Sequence, residues 1–393
     1  VELSRMIGVL TWKLYNFGTA LQAFALVEFV SMNSKSKGCK LLNYSLPGRN
    51  EIVQVNNLTF VDYINKINNR ISVWKKDKRN RKDSLRFTEE IVIQKKKFRE
   101  FYNCIPHDNH NVNVTEMEYF NSNFEKIIVG SDQVWNPRYF CETYFLNFIR
   151  DSKKYSYAPS LGVSCLTREE EGFLKSKLKG HFQQISVREK TGKILLDKII
   201  PEQQVECVVD PTLLFTGEQW CEKLKLRENI DQGRYILVYT LSDNIWYKDA
   251  IKRVSRELGV RKIIYITSED ILYFYANEAG LKVDVGPIEF LNLMKNAEFI
   301  ITDSFHGACF SLNFEKQFIC LSRFREKNKK SENSRIVDIL KQLDIWEKVY
   351  FNNSNIDINM LNYEEINKKL NVLRNHSIKY LNRSIIEKDS SEE

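Results

Sequence analysis

Short apolar runs alternate with helix-length amphipathic stretches along this chain, and the series begins twice. The first series opens with Ile7 to Leu10, the loop TWKLYNFG and a helical pattern from Thr19 to Phe29. It continues through runs at Lys40 to Tyr44, Phe124 to Val129, KKYSYAPSLG and Gln184 to Val187, and closes with CVVDPTLLF. From Gly233 the pattern restarts: YILVYT, a helix over Trp246 to Leu258 stopped at Gly259, KIIYIT, a helix over Asp270 to Ala279, a short strand KVDV, and a helix from Pro287 to Asn296. Continuous apolar runs of four to six residues between helices are the pattern of parallel strands covered on both faces. The chain is therefore expected to be α/β, with two doubly wound Rossmann-like domains facing a cleft. The domains are placed at 1–215 and 233–393, the boundary falling between Pro211 and Gly233.

In open α/β sheets, ligands bind beyond the carboxyl ends of the strands, so the loops there hold the candidate site. Asn16, Phe17 and Gly18 follow the first run. GSDQVWNP follows Phe124 to Val129, bringing Ser131 and Asp132 in a tight turn; Ser156, Pro159, Ser160 and Gly162 end the next run, and Arg188-Glu189 the one after. In the second half the stretch AEFIITDSFHGACFSLNFEKQFICLSRFR carries Asp303, Ser304, His306 and Gly307 in a strand-to-helix turn, with Arg323 and Arg325 after the next strand. A helix N-terminus favours an anion, and Gly307 is expected to let a ligand approach the backbone. Two readings of the turn stand side by side: His306 is a site residue, or Asp303 or Ser304 caps the helix and His306 bonds within the core. Asp132 likewise reads as a base or as a helix cap.

With 393 residues the chain exceeds the usual single domain. No apolar run reaches the length of a membrane span, no stretch has the order of a signal peptide, and the eight cysteines are scattered without a CxxC pair. A cytoplasmic location with reduced thiols is the expectation. The net charge of +8 is concentrated: between Trp74 and Glu100 there are eleven Lys and Arg against five Asp and Glu. This region belongs to a helical basic insert over 60–104, where Ile64, Ile67, Ile71 and Trp74, then Phe87, Ile91, Phe98 and Phe101, recur at helical spacing. A solvated face is the ordinary reading of such charge. Peripheral contact of 75–99 with an anionic membrane surface or a lipid-linked diphosphate is the sharper one. Nucleic acid is not expected, since the aromatics fall on apolar faces. No GxGxxG argues for a dinucleotide and no HxxxH or CxxC spacing for a metal, so neither cofactor nor metal is expected.

The stretches NFGTALQAFAL, IIVGSDQVWNP, YSYAPSLG, SVREKTG, VVDPTLL, GPIEFLNLMKNAEFIITDSFHG and NSRI, in this order, resemble the polysaccharide pyruvyl transferase family. The resemblance runs from Ile7 to about Leu343 and omits the region between Asn50 and Tyr119. It implies a glycosyltransferase-B-like fold without a nucleotide sugar. It also implies transfer of a pyruvyl group from phosphoenolpyruvate to a sugar of a surface polysaccharide or its lipid-linked precursor, as a ketal across two hydroxyls. The family's histidine maps onto His306 and its strand-end arginine onto Arg188. Arg323 and Arg335 are further expected donor contacts, joined by Ser304, Gly307, Asn16, Ser131 and Ser160, with Asp132 a second catalytic candidate. Two alternatives remain open at this point: a glycosyltransferase of the same architecture using a nucleotide sugar, and a non-catalytic component of a polysaccharide assembly complex.

Overall fold

The computed structural model describes residues 6–34, 38–44, 82–227, 233–323, 334–353 and 355–386. The expected helix through Ile64 and Trp74, the cations Lys75, Lys76, Lys78, Arg79 and Arg81, and Arg325 lie outside these residues. Strands are β1 (Met6–Leu10), β2 (Cys39–Asn43), β3 (His107–Asn111), β4 (Phe124–Val129), β5 (Lys154–Ser156), β6 (Ile185–Val187), β7 (Val205–Cys207), β8 (Ile236–Thr240), β9 (Ile263–Thr267), β10 (Phe299–Thr302), β11 (Gln317–Leu321) and β12 (Tyr350–Phe351). The helices used below are α1 (Phe17–Asn33), α2 (Thr88–Asn103), α3 (Lys190–Ile199), α4 (Pro287–Asn296), α5 (Phe305–Asn313), α6 (Ser334–Gln342) and α7 (Tyr363–Leu381).

The frame is two five-stranded sheets, each all parallel. The first has the order β3-β2-β1-β4-β5 and the second β12-β11-β10-β8-β9. These are two doubly wound patterns, as expected, and each has one place where the strand order reverses: between β1 and β4, and between β8 and β10. The central strands are apolar because both faces are covered. Val9, Ile128, Val238, Ile300 and Ile301 are all fully buried. The pair β6 and β7 forms its own small parallel sheet, joined to β5 through a parallel bridge from Tyr155 to Gln184. Arg188 therefore sits beyond an appended pair of strands, while Asn16, Gly130 and Ser156 follow strands of the main sheet.

Several expected elements change. KVDV is not a strand: only Leu281 bridges Tyr265, through Tyr265 N–H to Gly280 O and Lys282 N–H to Tyr265 O, and Val283 then turns into a small cluster with Ile91 and Leu272. The helix expected over 270–279 shrinks to a 3-10 turn and one α-turn, Leu272–Tyr275. Tyr275 is anchored by its hydroxyl to Thr240 Oγ1 at 2.9 Å, and the chain reverses with Glu278 N–H donating to Tyr275 O.

Two helices join the halves. α2 lies across the cleft like a strap. Phe98, Phe101 and Tyr102 are buried on its first-domain side, with Phe98 packed on Phe17 at 5.2 Å between ring centroids, and Tyr102 Oη donating to Leu14 O at 2.8 Å. Its other side reaches the second domain through Ile91, buried with Leu272 and Val283, and by charge: Lys95 to Glu269 at 2.7 Å, Lys97 to Glu289 at 3.0 Å and Lys97 to the Asp284 carbonyl at 2.8 Å. Each buried apolar side chain contributes about 1.5–3 kcal/mol and part-exposed ion pairs about 0–1 kcal/mol, so three buried aromatics against one buried isoleucine weight the helix towards the first domain. α7, at the far end of the chain, returns to the first domain. Tyr380 Oη donates to Ser156 O at 2.9 Å, Arg374 Nε donates to Leu213 O at 2.7 Å, and Ser377 Oγ accepts from Val209 N–H at 2.8 Å.

Candidate active site

The two places where strand order reverses face each other, and the loops that leave them are pinned by buried polar side chains. In the first domain Thr11 Oγ1 donates to Ser131 O at 3.0 Å, and Gln22 Oε1 accepts from Ser131 N–H at 3.1 Å. In the second, Asp303 accepts from Leu241 N–H and Ser242 Oγ, both at 2.6 Å, and from Tyr247 Oη at 3.2 Å. Burial pushes the Asp303 carboxyl up, with Arg323 acting against it.

Between these loops stands Asp210, fully enclosed at the end of the β7 segment. One carboxylate oxygen, Oδ2, accepts from Arg188 Nη1 at 2.7 Å and Ser131 Oγ at 3.1 Å, and lies 3.5 Å from His306 Nε2. The other accepts from Thr212 N–H at 2.9 Å and Thr212 Oγ1 at 2.7 Å. Burial alone would raise the acid, but the His306 imidazole, the Arg188 guanidinium and the Thr212 amide together hold it well below the ordinary carboxylate range. Arg188 in turn is raised above its usual value by Glu189 and Asp210, against the burial that disfavours its charge. Its guanidinium carbon lies 4.1 Å from the Phe305 ring centroid. Three segments far apart in sequence thus form one buried charged group across the domain boundary.

Several polar atoms here remain without a hydrogen bond: Arg188 Nη2, His306 Nε2, Ser160 Oγ and Glu189 Oε2. Glu189 is raised by burial, while the Arg188 charge and the nearby Ser160 hydroxyl pull it down; Ser160 and Glu189 nonetheless close no well-aligned bond. Arg188, Asp210, Phe305 and Arg335 line a cavity of about 20 Å³, room for a single water. Such unpaired buried groups are costly unless a ligand or water completes them.

The sequence-derived candidates therefore divide. His306, Arg188 and Ser131 converge on Asp210, and Arg335 on α6 shares the cavity with Arg188. Asp132 is tied to α1, accepting from Thr19 Oγ1 at 2.7 Å, and from its neighbour Gln133 N–H at 2.9 Å. The helix cap considered for it is not its role, because no regular helix starts there. Asn16 caps α1, accepting from Thr19 N–H at 3.2 Å. Ser304 caps α5, accepting from Gly307 N–H at 3.3 Å, so the capping reading and the proximity of His306 to the buried group both hold. Gly307 departs from its expectation: a Cβ there would come 2.3 Å from Thr302 Oγ1, so its missing side chain lets α5 pack on β10 rather than exposing backbone to a ligand. Arg323 stands apart, 3.8 Å from Asp303 and donating from Nη2 to Leu241 O at 3.5 Å.

Asp210 is the residue that sequence reasoning missed. The available signal was an acid directly after the buried Val208-Val209 and directly before Pro211, inside the stretch VVDPTLL. Gly18 also gains a reason. A Cβ on it would lie 2.0 Å from His306 Nδ1, so the first domain's α1 rests directly on the imidazole. Gly18→Ala is therefore expected to displace the ring and to lower stability by about 1–3 kcal/mol. Turnover should fall further than the loss of folded protein explains, which parallel denaturation and activity measurements check.

The family model described as polysaccharide pyruvyl transferase matches residues 40–323. The chain belongs to the polysaccharide pyruvyl transferase family. The matched span includes Asp132, Arg188, Asp210, His306 and Arg323, whereas Asn16 and Arg335 lie outside it. Membership makes the chain a transferase of polysaccharide biosynthesis, acting in general by pyruvyl transfer. Comparison with curated proteins finds no match. Among solved structures, the chain is similar to the UDP-GlcNAc 2-epimerase from Neisseria meningitidis bound to UDP-GlcNAc, at 11% identity, with 95% of this chain and 99% of that one covered and a TM-score of 0.47. It is also similar to the UDP-GlcNAc 2-epimerase from Methanocaldococcus jannaschii (14% identity, 94% and 92% covered, TM-score 0.46) and a putative UDP-N-acetylglucosamine 2-epimerase from Listeria monocytogenes (10% identity, 99% and 99% covered, TM-score 0.47).

Proposed function

We propose that this pyruvyl transferase takes its pyruvyl group from phosphoenolpyruvate and sets it as a ketal across two hydroxyls of a sugar in a surface polysaccharide or its lipid-linked precursor. The observation that supports this most is the set of unsatisfied atoms where the domains meet: Arg188 Nη2 and His306 Nε2, with Arg335 on the same cavity wall as Arg188. A donor carrying a carboxylate and a phosphate needs fixed cations, and a guanidinium offers two parallel donors to either group. In the reaction a sugar hydroxyl gives up its proton as its oxygen bonds to the donor carbon that bears phosphate, while a proton adds to the vinyl carbon and makes it a methyl group, so that the two proton transfers balance. The second hydroxyl then displaces phosphate, its own proton leaving with the closing of the ring. His306 is the proton carrier in this reading, held beside a carboxylate that stays ionised.

The test is a comparison of ligands by thermal shift and calorimetry, because only a ligand bound by the fold raises its stability. Phosphoenolpyruvate is expected to stabilise the protein, in chelator as well as with magnesium, and nucleotide sugars to leave it unchanged. Stabilisation by a nucleotide sugar alone would overturn the reading. Arg188→Lys is expected to bind phosphoenolpyruvate about 10- to 100-fold more weakly although the charge is kept, since an ammonium makes no two-point fork. Unchanged affinity would remove Arg188 from the donor site.

The same reading places the protein at an anionic membrane surface when the acceptor is lipid-linked. Among the described residues no helix is long and apolar enough to cross a membrane. Lys95 and Lys97 are engaged by Glu269 and Glu289, and the cations from Lys75 to Lys82 are the ones this reading assigns to such a contact. Reversing charges there should weaken binding to vesicles rich in anionic lipid, with the difference shrinking as salt rises.

A further inference from the structure

A second cavity lies where the loop after β1, the strap helix and the ends of β8 and β9 meet. It is lined by Tyr15, Asn16 and Phe17 from the loop after β1, by Gln94, Lys95 and Phe98 from α2, and by Tyr239, Leu241, Thr267, Ser268 and Glu269 from the ends of β8 and β9. Three features give it the character of a ligand site. Its inner wall includes Tyr239, which is 1% exposed and whose hydroxyl, beside Ser304, closes no well-aligned hydrogen bond. Its rim carries the ring of Tyr15, half exposed and steadied by Phe98 at 5.9 Å between centroids. Among the described residues that line it, the charged ones, Lys95 and Glu269, are paired with each other at 2.7 Å.

We propose that this cavity is the subsite for one neutral pyranose ring of the acceptor, with Tyr239 Oη receiving one of the ring's hydroxyls. This rests on the pyruvyl transfer reading and adds to it the position and the chemical class of the acceptor. An aromatic face beside amide and hydroxyl groups suits a sugar, which presents C–H surface on one side and hydroxyls along its edge. An anion finds no surplus positive charge there, because the lysine is neutralised. The volume, about 40 Å³, takes the hydroxyl-bearing edge of a ring and leaves the remainder of the saccharide outside. The position fits as well: Phe17 lines the cavity, and the next residue, Gly18, lies against His306. A ring edge in this subsite is thus held within one residue of backbone from the proposed proton carrier. The strap helix forms one wall, so the insert takes part in choosing the acceptor.

The experiment is saturation-transfer NMR on the full chain with methyl pyranosides of glucose, galactose, mannose and N-acetylglucosamine, run beside calorimetry with phosphoenolpyruvate. At least one pyranoside is expected to receive saturation from the wild type. In Tyr239→Phe, which removes one hydroxyl, and in Gln94→Ala on the helix surface, its affinity should fall about three- to tenfold while phosphoenolpyruvate binding stays unchanged. Equal pyranoside affinity in both variants, or no saturation of any pyranoside in the wild type, overturns the subsite. Failure of phosphoenolpyruvate to bind the wild type overturns the donor reading instead, and pyranoside binding lost in the variants would then still locate a sugar site here.

Discussion

His306→Gln should melt close to the wild type, keep its affinity for phosphoenolpyruvate and turn over at least about a hundredfold more slowly. The size follows from general acid–base catalysis, which typically contributes about 10²–10⁴ in rate. Glutamine keeps a polar side chain of similar reach beside Asp210 and Gly18, so packing changes little, yet it cannot carry a proton at neutral pH. The ring makes few bonds to lose: its Nε2 lies 3.5 Å from Asp210 Oδ2 and closes no hydrogen bond. Lower turnover with unchanged donor binding would mark an interaction made in the transition state. A folded variant with near-normal turnover would remove His306 from the chemistry.

Asp210→Asn should show the largest loss of stability, about 3–5 kcal/mol, because the neutral amide leaves the buried Arg188 guanidinium with Glu189 Oε1, 3.2 Å from its Nε, as its one remaining carboxylate partner among the described residues. The pH dependence has a definite sign. The Asp210 carboxyl is held below its ordinary value, so the folded state favours the ionised form. Its contribution is complete above the unfolded value of about 3.9 and is lost as pH falls towards the depressed folded value. Chemical denaturation should therefore find a constant gap between wild type and variant from about pH 5 upward, narrowing below about pH 4. A gap that widened in acid, or a variant as stable as the wild type at neutral pH, would contradict the buried charged group.

The frame was legible in the sequence because its central strands are covered on both faces and must be continuously apolar. Ile7 to Leu10, Ile127 to Val129 and Phe299 to Ile301 announce themselves in this way. β3 did not: His107 to Asn111 is a polar edge strand that pairs only with β2, so no apolar run marks it. KVDV failed in the opposite sense, Val283 serving a cluster with Ile91 and Val285 the main core rather than a ladder. In the site, His306 and Arg188 were visible because each lies just beyond the carboxyl end of a strand. Asp210 was not, since the meaning of a buried acid appears only when Arg188, Ser131 and His306 arrive from other segments. Gly307 misled for a related reason: its close neighbour is Thr302 on its own crossover unit, and sequence spacing does not reveal which side of a glycine is crowded.

The return of α7 to the first domain bears on the order in which the chain acquires its structure during synthesis. Ser156 O, Val209 N–H and Leu213 O belong to the first half, but their partners are Tyr380, Ser377 and Arg374. Until some 160 further residues have been made, Val209 N–H and Leu213 O wait for these partners, Ser156 O keeps only its bond from Ser186 Oγ at 3.0 Å, and the wall that α7 covers stays wet. The first domain is thus encoded first and finished last. A nascent chain stopped before Tyr363 should expose the surface around Tyr157 and Val209 to solvent and to chaperones, whereas the sheet of the second domain, whose strands all lie between Ile236 and Phe351, is complete before α7 emerges.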